Sequence, residues 1–380
     1  MKINSINVYN VSLPFVAEFA HSLRKRLSAK NILVEIVADN GTVKGYGEGA
    51  PRTYVTGESQ ESAVTGIKKI IKNQNFPWEI NDVSRIWDFI ESLPDTKECN
   101  AGICALENAL LDAIGKKHNK AIIDFFSLHS GVDHIFYGGA VMLTSREIMT
   151  EICRLFKKFN INKLKLKMGK DFEQNRNAFK AVRQVFGDDY DLKVDVNMAW
   201  DFELALENLP LLQEYNVKVL EQPMMPDDPD IAEFAEILKE NDIVLMADES
   251  ACCMADIKKL VSDGHYKMVN VRLSKCGGFR RSLEIIDYLR DNNISFQIAA
   301  HLGESGFLSA AGRILGFLCE DSIYYDGSYD EYLLNENLTK ENVTFGIGGK
   351  AAPLADPGLG VELSNESLKR LGELALSIER

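Results

Sequence analysis

The sequence predicts an α/β protein: a modified (β/α)8-type (TIM) barrel carrying an α+β capping domain. Three observations predict it. Short β-rich runs recur about every 27 residues, each ending in a polar or ionisable residue. Helical patterns with apolar residues at three- and four-residue spacing lie between them. The chain before residue 132 and after residue 328 does not keep this rhythm.

Residues 2–12 and 31–48 read as an antiparallel meander with a turn at Asp39-Asn40-Gly41, and HSLRKRLSAKN reads as the loop between its first two strands. Residues 58–128 read as helical. The repeating runs then follow: FYGGAVML around Val141, NKLKLK ending at Lys167, LKVDVN with Asp195, and VKVLE ending at Glu221. After these come IVLMADE with Asp248, MVNVRLSK ending at Lys275, ISFQIAAH ending at His301, and SIYYDGS with Asp326. From Val141 the successive steps are 26, 28, 26, 27, 27, 26 and 25 residues, about the length of a strand, a helix and two loops. The tail is turn-rich and extended. The expected division is a capping part at 1–131, a barrel at 132–328, and a tail at 329–380 that completes the cap.

The 380 residues are 46% hydrophobic and carry a net charge of −13. That balance argues against nucleic acid or an anionic membrane as the main partner. Seven scattered cysteines without a CxxC pair read as buried thiols of a reducing cytosol. No run approaches the ~18 apolar residues of a membrane helix. A cytoplasmic protein acting on a small molecule is expected.

Catalytic groups of such barrels sit at the C-terminal ends of the strands. Here those ends carry Lys165 and Lys167, then Asp195, Glu221 and Asp248, then Lys275, His301 and Asp326. Any single carboxylate there could be a loop residue or a helix cap. Three on consecutive strands, converging in a barrel mouth, call for a cation. An all-oxygen set suits one Mg²⁺ per site, with Mn²⁺ as a substitute. Lys167 and Lys275 fall on strands two and six of eight, across the mouth from each other. Two bases on opposite faces of one carbon can invert it: one takes the α-proton, the metal stabilises the enediolate, and the other lysine reprotonates the far face. In KLKLKMGKD, alternation puts Lys163, Lys165 and Lys167 on one face. Lys163 is placed near the strand's start, snorkelling outward. Lys165 is expected to lower the pKa of Lys167 and to help hold a substrate carboxylate.

These residues resemble the muconate-lactonizing subgroup of the enolase superfamily, where a lysine or histidine base beside bound Mg²⁺ is the shared logic. The matching motifs are KxK (Lys165, Lys167), DxN (Asp195, Asn197), EQP (Glu221 to Pro223), DES (Asp248 to Ser250) and KCGG (Lys275 to Gly278), with ALENALLDAIGKK and PGLG (Pro357 to Gly360) outside the barrel. The resemblance implies metal ligation by Asp195, Glu221 and Asp248, base roles for Lys167 and Lys275, and a homo-oligomer. It also implies several reactions on one site: cycloisomerisation, o-succinylbenzoate synthesis, N-acylamino acid racemisation and dipeptide epimerisation. Dipeptide epimerases carry a DxD on strand eight for the substrate ammonium. In YYDGSYD, Asp326 fits the first aspartate with Ser328 in the second place, or Asp326 fits the second. Arg24 matches the position of an arginine that holds the glutamate side chain in Ala-Glu epimerases; a solvated basic loop is the plain alternative. Tyr54, in RTYVTGES, is expected on a loop closing over the site.

The reading reached is therefore a Mg²⁺-dependent dipeptide epimerase, most simply for L-Ala-D/L-Glu. The rivals are the other reactions of the subgroup, an acid-sugar dehydratase using His301 as base, and a non-catalytic barrel. His301 lacks a strand-six aspartate to orient it, so it reads as a substrate contact or structural group. Glu304 reads as a substrate contact, a neighbour polarising a lysine, or a helix-start carboxylate. GYGEGAP and FGIGGK lack phosphate-loop spacing and read as tight turns.

Overall fold

A computed structural model describes residues 1–21, 24–126, 131–188 and 190–380; for 17–21 and 24–26 it describes the backbone alone. β1 (Ile3–His21) and β2 (Arg24–Ala38) form a long antiparallel hairpin, and a turn at Asp39–Gly41 leads to β3 (Val43–Gly49). Asp39, Asn40 and Gly41 hold φ of 50, 57 and 84°, as the turn sequence predicts. Of the loop expected at HSLRKRLSAKN, His21 and the residues from Arg24 on instead pair as strands, with Phe19 opposite Arg26 and His21 opposite Arg24, while Ser22 and Leu23 lie outside the described residues. Leu13, Phe15 and Ala29 are buried, whereas Leu27 is 71% exposed. Backbone pairing joins the two strands here, and it is open to any side chain, which is why a charged stretch can form it.

α1 (Gln60–Ile71), α2 (Ser84–Glu91) and α3 (Asn100–His118) follow. GYGEGAP is not a tight turn. It is β3, and its glycines form a row against α3. A Cβ added at Gly45, Gly47 or Gly49 would lie 2.1–2.3 Å from the carbonyl oxygens of Ala109, Ala105 and Ala101. A strand advances about 6.6 Å in two residues and a helix about 6 Å in four, so the two rows stay matched. Gly47→Ala is expected to cost about 1–3 kcal/mol by overpacking, read from urea denaturation.

The short β4 (Ile135–Phe136) precedes the barrel strands β5 (Gly139–Val141), then α4 (Arg146–Lys158), β6 (Leu164–Lys167), α5 (Phe172–Phe186), β7 (Leu192–Asp195) and α6 (Phe202–Glu214). The pattern continues through β8 (Val219–Glu221), α7 (Ile231–Glu240), β9 (Val244–Ala247), α8 (Met254–Asp263) and β10 (Met268–Val271). A one-turn α9 (Leu273–Cys276) is inserted before α10 (Phe279–Asp291), and β11 (Ser295–Ile298) and α11 (Gly306–Leu318) complete the series. β5 to β11 form one parallel sheet in chain order. Ser145, Asp171, Asp201 and Ser305 cap the helices that follow them, each accepting a hydrogen bond from a first-turn amide.

The eighth run differs from a full strand. Tyr325 makes single parallel bridges to Ile298 and to Tyr137 and so closes the ring at one residue. Gly327 and Ser328 then turn the backbone away at φ 140 and 56°. Only the one-turn α12 (Asp330–Leu333) stands where an eighth helix would be. FGIGGK is a tight turn as expected, with Gly348 and Gly349 at φ 76 and 72°. β12 (Lys350–Ala351) pairs with β4, and after α13 (Asn365–Leu371), β13 (Gly372–Glu379) pairs with β1, giving a cap sheet ordered β13-β1-β2-β3.

Cap and barrel meet through carboxylates set at helix starts. Buried Glu48 of β3 accepts from the Ser305 and Leu308 amides at the start of α11, and from the Ser305 hydroxyl at 2.6 Å. Buried Glu107 of α3 accepts from the Phe279 and Arg280 amides at the start of α10. Both satisfy orphan N–H groups and complement the helix dipole. The two motifs outside the barrel also meet: Asp112 of ALENALLDAIGKK accepts from the Leu359 amide of PGLG at 2.8 Å. Among the described residues, no helix is long and apolar enough to cross a membrane.

Candidate active site

The three carboxylates lie side by side. Asp195 and Glu221 end β7 and β8 in register, and Asp248 follows β9 by one residue. All three are fully buried. EQP and DES interlock beneath them: Gln222 Oε1 accepts from the Asp248 and Ser250 amides at 2.9 and 3.1 Å.

Cations flank this row. Lys167 Nζ lies 2.5 Å from Asp195 Oδ2 and donates to Asn197 Oδ1 at 2.7 Å. Lys275 stands on α9, past the end of β10, with Nζ 3.0 Å from Asp248 Oδ1. It also donates to the carbonyls of Asp248 and Asn270 at 2.7 and 2.6 Å. The two lysines thus hold opposite ends of the carboxylate row, with Glu221 between. Lys165 Nζ is 2.6 Å from Glu221 Oε2 and 2.9 Å from Asp326 Oδ2.

Burial alone would lower the pKa values of Lys165 and Lys275. The carboxylates outweigh it, raising Lys275, through Asp248, and Lys165 well above the lysine value, through Asp326, Glu221 and Asp195. Burial raises Glu221, while Arg272 and Lys275 overcome burial to hold Asp248 well below the usual carboxylate range.

Arg272 and Lys193 were not anticipated from the sequence. The Arg272 guanidinium pairs with Asp248 Oδ2, lies 3.7 Å from Glu221 Oε1, and approaches His301 Nδ1 at 3.2 Å. It thus lies between two of the three carboxylates. Among the described residues no three carboxylate, imidazole or thiol groups stand at metal-ligating spacing. The donor chemistry nevertheless fits a hard dication: three buried carboxylates on adjacent strands, with the neighbouring Glu249 Oε2 and Asn270 Oδ1 buried without hydrogen-bond partners. Burial and adjacent Asp248 push Glu249 up to about 8, a further sign of surplus acidic oxygen.

Lys193 lies two residues before Asp195 and so on the same inward face. Its ammonium reaches Asp326 Oδ2 at 2.8 Å and Gln297 Oε1 at 2.5 Å. This corrects the picture of Asp326 as a free clamp for an ammonium group: two internal lysines already neutralise it. Asp326→Asn is expected to cost about 3 kcal/mol in chemical denaturation, because it removes the carboxylate partner of buried Lys193 and one of those beside Lys165. Adding Lys193→Met should recover part of that loss.

A cavity of about 420 Å³ opens at the strand ends, lined there by Tyr54, Lys165, Lys167, Arg272, His301 and Asp326. Ser328 does not line it. Its hydroxyl turns to the Arg313 guanidinium and the Val343 carbonyl, so it cannot act as the second substrate-binding residue of the motif. The side chain of Arg24 lies outside the described residues. Burial, then the Arg272 and Arg52 charges, hold His301 well below the imidazole value, and Glu304 accepts from its backbone amide at 2.6 Å. A His301 held below its usual pKa beside two guanidinium groups, with no carboxylate on its ring among the described residues, does not resemble an oriented base. Lys163, as expected, points away from the mouth, donating to the Ile323 carbonyl at 2.6 Å and lying over the Tyr324 ring.

A capped parallel barrel with acidic groups on adjacent strands and a lysine at each end of their row defines an enolase-type enzyme. The family model for the enolase C-terminal domain-like proteins matches residues 147–367, and the chain belongs to that family. It is an isomerase of the enolase superfamily's muconate-lactonizing-like subgroup. It is 26% identical to a hydrophobic dipeptide epimerase of Enterococcus faecalis, over 99% of this chain and 98% of that one. It is 27% identical to an N-succinyl-L-Arg/Lys racemase of Bacillus cereus, over 98% of both. Its fold matches a crystal structure of the Enterococcus faecalis dipeptide epimerase complexed with Mg and L-Leu-L-Tyr, with a TM-score of 0.82, 23% identity and coverage of 95% of this chain and 100% of that chain.

Proposed function

We propose that the protein is a Mg²⁺-dependent dipeptide epimerase that inverts the α-carbon of the C-terminal residue, with Lys167 and Lys275 as its two bases. One observation carries this reading: Lys167 and Lys275 pair with Asp195 and Asp248, the outer members of one carboxylate row, and so flank that row from its two ends, Lys167 on the cavity wall and Lys275 buried behind Asp248. Asp195, Glu221 and Asp248 would hold the ion. When bound, Mg²⁺ supplies positive charge against the dianion that α-proton removal creates. Lys167 takes the α-proton from one face, and Lys275 returns a proton to the other. Lys165, kept protonated by its carboxylates, would face the substrate carboxylate. Tyr54 and the cap would exclude water. Among acidic dipeptides, L-Ala-L-Glu is the one that an arginine at position 24 would suit.

A second reading, N-acylamino acid racemisation, has a specific observation in its favour. Asp326 is already paired with Lys165 and Lys193, and a substrate without a free ammonium needs no carboxylate there. The test is incubation of enzyme and Mg²⁺ in D₂O with L-Ala-L-Glu, further L-Ala dipeptides and their N-acetylated counterparts. The α-proton NMR signal of the C-terminal residue should disappear. Loss with free dipeptides supports epimerisation, and loss only with acylated compounds supports the second reading. If no compound exchanges, both fail.

A further inference from the structure

The cavity at the strand ends does not stop at the barrel mouth. The barrel ring is closed between β5 and the eighth run by one bridge, Tyr137 to Tyr325, and among the described residues no other bridge joins them. Past that bridge the cavity runs between Ala140 on one side and Gly327 on the other. Gly327 presents no side chain to fill the gap. The same cavity continues under α4 into a chamber walled by Phe156, Phe159, Tyr329, Leu333 and Phe345. This space exists because no full eighth helix covers the flank of α4; only one-turn α12 and the chain around Phe345 do.

The walls are rigidly built. Tyr329 donates to the Gly138 carbonyl at 2.6 Å, and its ring meets Phe345 edge-on at 5.5 Å. Phe345 stacks on Tyr137 at 5.8 Å. One end of the cavity is therefore ionic and holds Lys165, Lys167 and Arg272. The other is apolar and aromatic, carries no charged wall residue, and reaches an outer rim at the half-exposed Leu155 and Tyr332.

We propose that this side chamber is the specificity subsite for a bulky apolar group on the substrate, so that the preferred substrates carry an aliphatic or aromatic side chain rather than the carboxylate of glutamate. The inference rests on the epimerase reading for the identity of the substrate backbone. Its continuity with the ionic mouth is what assigns the chamber to substrate: a molecule anchored by its carboxylate near Lys165 can pass an uncharged side chain between Ala140 and Gly327. A carboxylate sent the same way would lose its hydration without gaining a partner.

Calorimetric titration of the Mg²⁺-loaded protein with L-Ala-L-Ala, L-Ala-L-Glu, L-Ala-L-Leu and L-Ala-L-Phe tests this directly. Burial of a leucine or phenylalanine side chain should tighten Kd at least tenfold relative to both L-Ala-L-Ala and L-Ala-L-Glu. Leu333→Asp, which places a charge in the chamber wall, should erase that advantage and leave L-Ala-L-Ala unchanged. Leu155→Asp, at the half-exposed outer rim, provides a second variant if the first does not fold. Equal affinities in the wild type, or an advantage that survives both substitutions, overturn the subsite. α-Proton exchange followed on the same samples separates the two claims. Apolar preference without exchange with any compound removes the epimerase but keeps the subsite. Exchange without apolar preference does the reverse.

Discussion

Replacing Lys167 by methionine is expected to lower kcat for epimerisation by about 10²–10⁴-fold, the usual worth of a positioned general base. The more telling result is stereochemical. With two bases, each lysine serves one face of the α-carbon. The Lys167→Met enzyme should stop exchanging the α-proton of one C-terminal stereoisomer in D₂O while Lys275 still exchanges that of the other. Lys275→Met should show the mirror image. If either substitution removes exchange from both isomers alike, one group serves both faces and the two-base reading is wrong. Lys167 suits the experiment because its ammonium has two side-chain partners, Asp195 and Asn197, and lies on the cavity wall. Lys275 has three hydrogen bonds and no exposure, so its variant needs a folding control.

Arg272→Leu is expected to destabilise the metal-free protein by about 3–5 kcal/mol, since it leaves Asp248 short of a partner in a buried acidic row. Mg²⁺ should then stabilise the variant more than the wild type, because the ion no longer competes with a guanidinium for Asp248 and Glu221. Binding stabilises by RT ln(1 + [L]/Kd), so the difference will show as a steeper rise of Tm with Mg²⁺ concentration. An equal rise in both proteins would mean that Arg272 and the ion do not share a place. The same displacement matters for the reaction. Arg272 lines the cavity and Lys275 does not, and both pair with Asp248, so movement of the arginine is the expected route by which the buried lysine comes to face a substrate.

Much of this was legible in the sequence. The barrel could be read because a strand, a helix and two loops take a nearly constant length, and because the ionisable residues fell in phase with that length. The three carboxylates and the flanking lysines come together where that phase puts them. What escaped had physical causes. The hairpin extension around Arg24 looked like a loop because its pairing is carried by backbone groups that any side chain permits. Lys193 and Arg272 were overlooked although the alternation used for Lys165 and Lys167 applies to them: Lys193 shares a face with Asp195, and Arg272 shares one with Asn270. A buried cation two residues before a buried carboxylate is the signal that could have found Lys193. Asp326 was placed correctly at the mouth, but its partners lie on two other strands, which no local pattern reveals. The side chamber depends on an element that is missing, and absence leaves little trace in composition.

The glycine row of β3 has a consequence beyond the cap. α3 rests on Gly45, Gly47 and Gly49 with no methyl group between, and the first residue of that helix, Asn100, donates to the carbonyl of Lys275 at 2.7 Å. α3 is therefore a spacer of fixed thickness, seated on hydrogen atoms at one surface and touching the backbone of a proposed base at the other. The alignment of Lys275 inherits its tolerance from that seating. A single methyl group added to the cap sheet would be felt at the site as a displacement of the lysine and not as a loss of any contact with substrate.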